Sequence, residues 1–253
     1  MRLVSLLILL FSCTHVARSP AADDPPVDIK VDVVAWTKEY EEDKKAFAQK
    51  YKGKIVEVTG KVFKVGDITD NVLMEGYKKP SDLLGVLASA TPTKEERAKF
   101  QGLRSLSKNQ TLTVRGKCFS GTAGILDCTF VKVGPNTAMP YTIASLTKAH
   151  ANEATRKKLL HTDVVVRAQI VDVKATDVLV RWTLTDPGKK GGPKVSAQIT
   201  TNDKRLLDEY GKTKAGDVVI VLGEIDSEDQ CSLWDARLLK EPPEGVKLPG
   251  DKK

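Results

Sequence analysis

Histidine is scarce, with three residues in 253, and none of them stands at metal-ligand spacing or in a recognisable triad. His15 lies in the apolar leader, His150 on a helical stretch and His161 at its end. Four cysteines form no zinc-type pairs, and no Gly-x-Ser-x-Gly, phosphate-loop or dinucleotide-binding pattern occurs. No apolar run approaches the roughly 20 residues that span a bilayer. These absences remove the motif-borne enzyme classes, and neither a metal nor a cofactor is expected. A non-enzymatic binding role is the leading expectation, and a hydrolase with a loop-built site is held as an alternative. The acidic run Asp226-Ser-Glu-Asp229 lacks calcium-loop spacing and reads as a hairpin turn.

The one apolar run is N-terminal, Leu3 to Phe11 behind Arg2, and residues 1–21 read as a secretory signal. Two processing readings stay open. Cleavage after Ala21 would release a soluble chain, whereas Leu10-Phe11-Ser12-Cys13 resembles a bacterial lipobox in which Cys13 would be acylated. The expected location is therefore periplasmic or secreted, with a membrane contact only through a lipid anchor.

Charge adds little about partners. The net of +7 includes Arg2 and Arg18 of the leader; residues 23–135 carry 19 basic and 16 acidic side chains, and 136–253 carry 19 and 17. Two charge-balanced halves are weak grounds for a polyanion partner.

What is present is a repeat. Val56, Val58, Gly60, Val62 and Val65 align with Val164, Val166, Ala168, Ile170 and Val173 at an offset of 108. In both copies the alternation changes parity after the fourth pair, the mark of a β-bulge or a bend, with Gly60 the expected bend. Around these strands the pattern predicts helices over 33–51, 92–103, 143–160 and 203–210. Strands are expected over 54–65, 72–74, 83–87, 110–119 and 125–133, then 164–173, 178–185, 195–200, 218–225 and 232–239. Residues 22–32 and 136–140 read as linkers, the modules as 33–135 and 141–241, and 242–253 as a flexible tail.

Three strands, a helix and two strands is the order of the OB-fold, so the fold class is mainly β, two tandem five-stranded OB-like barrels each preceded by a helix. Three stretches, Tyr51-Lys-Gly-Lys-Ile-Val-Glu-Val-Thr-Gly-Lys-Val62, Leu112-Thr-Val-Arg-Gly-Lys-Cys118 and Leu126-Asp-Cys128, resemble the anticodon-binding-like OB-fold family, "tRNA_anti-like", of exported bacterial proteins and lipoproteins. The resemblance covers roughly 36–135 and, weakly, 141–240. It implies a barrel and no catalytic residues.

Binding candidates follow from the barrel faces. Arg167, Gln169, Arg181 and Thr183 project from the first two strands of the second module, and Lys189 and Lys190 sit in its Gly-Lys loop. Lys61 and Lys64 occupy the first module. Oligonucleotide or anionic-polysaccharide binding through these groups is the alternative to an unidentified small ligand or envelope protein. Trp182 reads as core and Trp36 as helix packing, with Trp234 unassigned. Cys118 and Cys128, symmetric about Ala123 in a hairpin, are expected to form a cross-strand disulfide, the alternative being two buried thiols.

Overall fold

The structure is a computed structural model and describes residues 26–66, 70–79, 85–119, 122–189 and 191–251. The leader with Cys13, and Lys190, lie outside the described residues. The first module comprises β1 (Ile29–Asp32), α1 (Val33–Glu42), α2 (Lys44–Tyr51), β2 (Ile55–Gly66), β3 (Asn71–Glu75), β4 (Leu87–Pro92), α3 (Lys94–Lys99), β5 (Thr111–Cys118) and β6 (Gly124–Val133). The second comprises β7 (Met139–Tyr141), α4 (Ile143–Ala151), α5 (Glu153–Leu159), β8 (Asp163–Ala175), β9 (Leu179–Thr185), β10 (Val195–Thr200), α6 (Lys204–Gly211), β11 (Val218–Ile225) and β12 (Ser232–Leu239).

Both modules close. β2, β3, β4, β6 and β5 pair in that circular order, with β4 parallel to β6 and β5 returning to β2. β8, β9, β10, β12 and β11 repeat the circuit. Each barrel is filled by its inward residues, Val56, Val58, Val62, Met74 and Leu112 in the first and Val164, Val166, Trp182, Ile199 and Leu233 in the second. Closure leaves each barrel without an open edge, apart from one added strand. That strand was read as linker: Ile29 pairs in parallel with Val56, and Met139 with Val164, the two repeat-equivalent residues. No helix among the described residues is long and apolar enough to cross a membrane, which says nothing of β-barrel spanning.

The parity change is a bulge in both copies, three residues beyond the expected bend. Register passes from Val62↔Met74 to Lys64↔Leu73, leaving Phe63 extra, and from Ile170↔Leu184 to Asp172↔Thr183, leaving Val171 extra. Gly60 serves packing instead. A Cβ there would lie 2.3 Å from Val33 Cγ1, so the glycine admits the start of α1 against the barrel.

Three further expectations change. Each leading helix breaks in two, because Asp43 Oδ1 accepts from Lys45 N and Ala46 N, and Asn152 Oδ1 accepts from Thr155 N, which starts a new helix mid-stretch. The third strand of the first barrel is described at Leu87–Pro92, while residues 83 and 84 of the stretch expected over 83–87 lie outside the described residues; its buried residues are Ala88, Ala90 and Pro92, whose apolar signal is faint. The tail is not free through Asp251. Leu248 is buried against Ala138, Val165, Leu222 and Leu239, and Asp251 pairs with Arg167.

The barrels are clasped by a buried pair. Arg237 of β12 and Asp163 of β8, side chains 8% and 6% exposed, lie 3.2 Å apart. Arg237 Nη1 donates to Leu106 O (2.9 Å), and Lys108 N donates to Asp163 Oδ2 (2.8 Å), so the pair grips a backbone turn of the first module. Lys108 Nζ reaches Glu224 at 2.7 Å. On another side Arg104 forks onto both oxygens of Glu209 at 2.7 Å and holds that carboxyl below its usual range.

Removing one member of a buried pair strands the other charge, so Arg237→Ala is expected to cost about 3–5 kcal/mol. The Arg104→Ala change, at a pair half-open to solvent through Glu209, should cost about 1 kcal/mol. Urea denaturation compares them, and equal small losses would show that the clasp does not hold the barrels.

Candidate ligand face of the second barrel

The outer surface of the second barrel divides in two. On one half, formed by the start of β8 with β11 and the end of β12, Asp163 and Arg237 hold the first module while Val165, Leu222 and Leu239 lie beneath the tail. The other half, formed by the end of β8 with β9, β10 and the start of β12, lies outside the clasp and the tail, and the first barrel reaches it at Asp235.

Register places two rows of side chains across this free half. Lys174 pairs with Arg181, and Arg181 with Gln198. Because Ser196 pairs with Ser232 and Ala197 with Leu233, Trp234 lies next along β12 from these, level with Gln198. Asp172, Thr183, Ser196 and Ser232 make the adjacent row. Inward neighbours Val180, Trp182, Ala197 and Leu233 are fully buried, which fixes the outward direction of both rows. Arg181 Nε and Nη2 donate to Gln198 Oε1 at 3.0 and 2.8 Å, so cation and amide are tied together. Trp234 is 41% exposed, whereas Trp36 and Trp182 are at 0%. Its Nε1 donates to Ser232 Oγ at 3.1 Å.

The candidates from sequence therefore separate. Arg181 and Thr183 stand on the free face and Trp234 joins them, while Gln198, on the same side of the sheet, is buried and holds Arg181. Trp234 was obscured because Asp235 is a bulge residue with φ 47°, which breaks the alternation around it. Its signal was the repeat itself, since Asp127, also left-handed at φ 49°, occupies the same place 108 residues earlier. Arg167 and Gln169 lie on the covered half, Arg167 paired with Asp251 and Gln169 bonded to Gly216 O and Gly188 N. Lys189 lies 3.8 Å from Asp186. Lys61 is exposed opposite Thr111. Lys64 pairs with Asp235, which brings the first barrel to the rim of the face beside Trp234.

Three other places invite a ligand. His161 Nδ1 lies 3.2 Å from Glu224 Oε1 and 3.3 Å from Asp226 Oδ1, a grouping with metal-ligand chemistry. The same Glu224 oxygen is bonded to the Lys108 ammonium at 2.7 Å, so an incoming cation would meet a cation, and the cluster acts as an ion network at the barrel junction. A cleft of about 330 Å³ between α3 and α6 gathers Lys94, Arg97, Arg104 and Arg205 against Asp70 and Glu209. A larger cavity, about 610 Å³, lies where residues 99–110 meet 133–136 and the tail; there Gln101 accepts from Lys240 N and Asn136 donates to Ser105 O. Those polar groups are engaged in closing the junction.

Two closed barrels in this strand order, with their outer faces differently furnished, define a tandem OB-fold protein. The chain belongs to the tRNA_anti-like family, whose model matches residues 3–132; the second barrel lies beyond that match. No curated protein matches it in sequence. Among solved structures it is similar to a candidate nucleic acid-binding lipoprotein of Klebsiella pneumoniae, at 16% identity and TM-score 0.35 over 41% of this chain and 93% of the other. It is also similar to fission yeast Pot1 solved with single-stranded DNA (12%, TM-score 0.25, 76% and 86%). The single-stranded DNA-binding protein of Thermus aquaticus matches at 11% and TM-score 0.24, over 78% and 98%. At this level none transfers a ligand.

The cysteines of the family-like hairpin are free thiols here, and the expected cross-strand disulfide is not formed. Two register shifts explain it: Cys118 comes to face Ile125, while Cys128 lies against Gly116, whose absent Cβ would fall 2.8 Å from the Cys128 Cβ. Burial pushes Cys118 up to about 11, Cys128 to about 12 and Cys231 to about 11, so all three stay protonated near neutrality. The native protein at pH 8 should react slowly with a thiol reagent. The denatured, unreduced chain lacking its leader should titrate three thiols; a single thiol would reveal a Cys118–Cys128 bridge.

Proposed function

We propose that this protein is an exported, non-enzymatic binding protein that holds an extended ligand across the free face of its second barrel. The observation that carries the reading is the row Lys174, Arg181, Gln198 and Trp234, a cation, a clamped amide and an exposed ring at successive strands. OB barrels take extended ligands on this kind of face, with loops at its margins. Equivalent positions of the first barrel hold Gly66, Asn71 and Leu126, which offer neither cation nor ring. Binding chemistry is thus concentrated in one copy, and the other supplies a docked support.

A role without catalysis is supported by the state of the nucleophile candidates. The Cys118 and Cys128 thiols are buried and protonated, the half-buried Cys231 thiol is also held protonated, and the His150 ring Nε2 is engaged with Ser227 O at 2.9 Å. Turnover of a substrate by the purified chain, lost on one polar-to-alanine change, would replace this reading with a hydrolase built on loops.

A second reading, an anionic ligand, is favoured by the α3–α6 cleft, where four cations face two carboxylates. It moves the basic site away from Arg167 and Lys189, which are paired elsewhere.

The face is tested by capture of ligand on immobilised protein. Trp234→Ala combined with Arg181→Ala should lower capture by about tenfold or more, given roughly 1–3 kcal/mol for one stacking ring. Leu126→Ala, the equivalent change in the first barrel, should leave it unchanged. Loss on Arg97→Ala and Arg205→Ala instead would transfer the site to the cleft. Export is tested on the mature chain, whose first residue should be Ala22; an acylated Cys13 would replace soluble export with a lipid anchor.

A further inference from the structure

We infer that the ligand of the Trp234 face is an uncharged glycan strand rather than a polyanion. The inference rests on the face proposed above and adds its chemical class. Trp234 offers its ring face, because its N–H is already bonded to Ser232 Oγ. An aromatic face is electron-rich and attracts either a nucleobase or the C–H face of a sugar ring, so the ring alone does not choose.

Charge around the ring chooses. Glu224 stands directly across from Trp234 and Asp235 follows it in the chain. Their charges are answered by Lys108 and Lys64. The turn leading into β12 adds Glu228 and Asp229, both exposed and in no ion pair among the described residues. A base stacked on Trp234 would carry its phosphates along a rim whose unpaired charges are these carboxylates, and in physiological salt such charges act over roughly 8–10 Å. A neutral sugar ring meets no such repulsion, and carboxylates accept from its hydroxyls.

The rest of the face agrees. Thr183 and Ser196 present hydroxyls in register, and Asp172 lies level with them, exposed, on the next strand. The cations at the far end, Lys174 and Arg181, share the face with Asp172 and with the Gln198 carbonyl that holds Arg181. From β12 to β8 the face crosses three strand spacings, roughly 14 Å, room for more than one sugar ring. Donors and acceptors of both kinds, little net charge and one stacking ring suit a polyol.

Calorimetric titration of the full mature chain tests this with three probes: chitohexaose, dodecathymidylate and dextran sulfate. A neutral hexasaccharide should bind with affinity constant to within about twofold between 50 and 500 mM salt, since no counterions are released. Trp234→Ala should weaken it about tenfold or more, and Trp234→Phe should restore most of the affinity. Because Trp234 is exposed, the variants keep the barrel core, which circular dichroism checks. Preferred binding of dodecathymidylate or dextran sulfate, falling more than about tenfold over the same salt range, overturns the glycan class. If that binding still depends on Trp234, the face itself stands. Binding of none of the three at millimolar concentration overturns both the class and the face.

Discussion

The arrangement of the molecule depends on one buried ion pair, Asp163 with Arg237, closed on the Leu106–Lys108 turn of the other barrel. Both members come from the second module, and their repeat equivalents in the first are Ile55 and Thr129, so the clasp works in one direction only. A buried pair adds little net stability over a well-packed apolar contact, because desolvation offsets most of the attraction. What this pair does supply is orientation, since each charge takes a backbone group whose direction is fixed. Lys108 with Glu224, and Arg104 with Glu209, then pin the docked barrel at two more points. A consequence is that half of the second barrel's outer surface is covered, while the half ending at Trp234 stays open.

The copies share a backbone and diverge in what they put outside it. Bulges fall at Phe63 and Val171 and again at Asp127 and Asp235, each pair 108 apart. Gly116 and Gly223 both sit where a Cβ would press on the facing strand. Outside, Glu57 pairs across strands with Arg115, whereas Val165 and Leu222 take the same places in the second barrel. Burial alone would raise the Glu57 carboxyl, but Arg115 and Lys30 outweigh it and hold it below its usual range. A charged pair can stay partly wet; an apolar pair needs a cover, and the tail provides it through Leu248. The tail's attachment and the first barrel's surface ion pair are therefore two solutions at one position.

Most of the fold was legible because closed barrels leave a strong trace: inward residues alternate with outward ones, and a duplicated trace confirms itself. The strands over 218–225 and 232–239 match the structure at both ends. Failures occurred where the trace is faint. Ala88 and Ala90 bury little apolar surface, so the third strand was displaced onto the leucines before it. Asp43 and Asn152 look like surface helix residues until their side chains cap the next turn. Linkers became strands because Ile29–Asp32 and Met139–Tyr141 are too short for alternation to register. The site was half legible: Arg181 and Thr183 project as alternation requires, but Arg167 obeys the same rule and is covered by chain from 84 residues away. Periodicity gives direction relative to a barrel, and it carries nothing about what packs outside.

That distinction bears on how such barrels diverge in function. The interior must keep its volume, so substitutions there are held to similar shapes: Cys128 and Ala236 both remain small opposite a glycine. The exterior has no such constraint except where another part of the chain docks. Once the clasp and the tail claim one half of the second barrel, the opposite half is a surface where an exposed tryptophan and a clamped arginine stand without disturbing the assembly. The first barrel, whose turn is held in the clasp and whose Lys64 reaches Asp235, sets the edge of that surface. The exposed face follows from the docking geometry, and under the proposed reading the acidic turn before β12 bears on which charges can approach it.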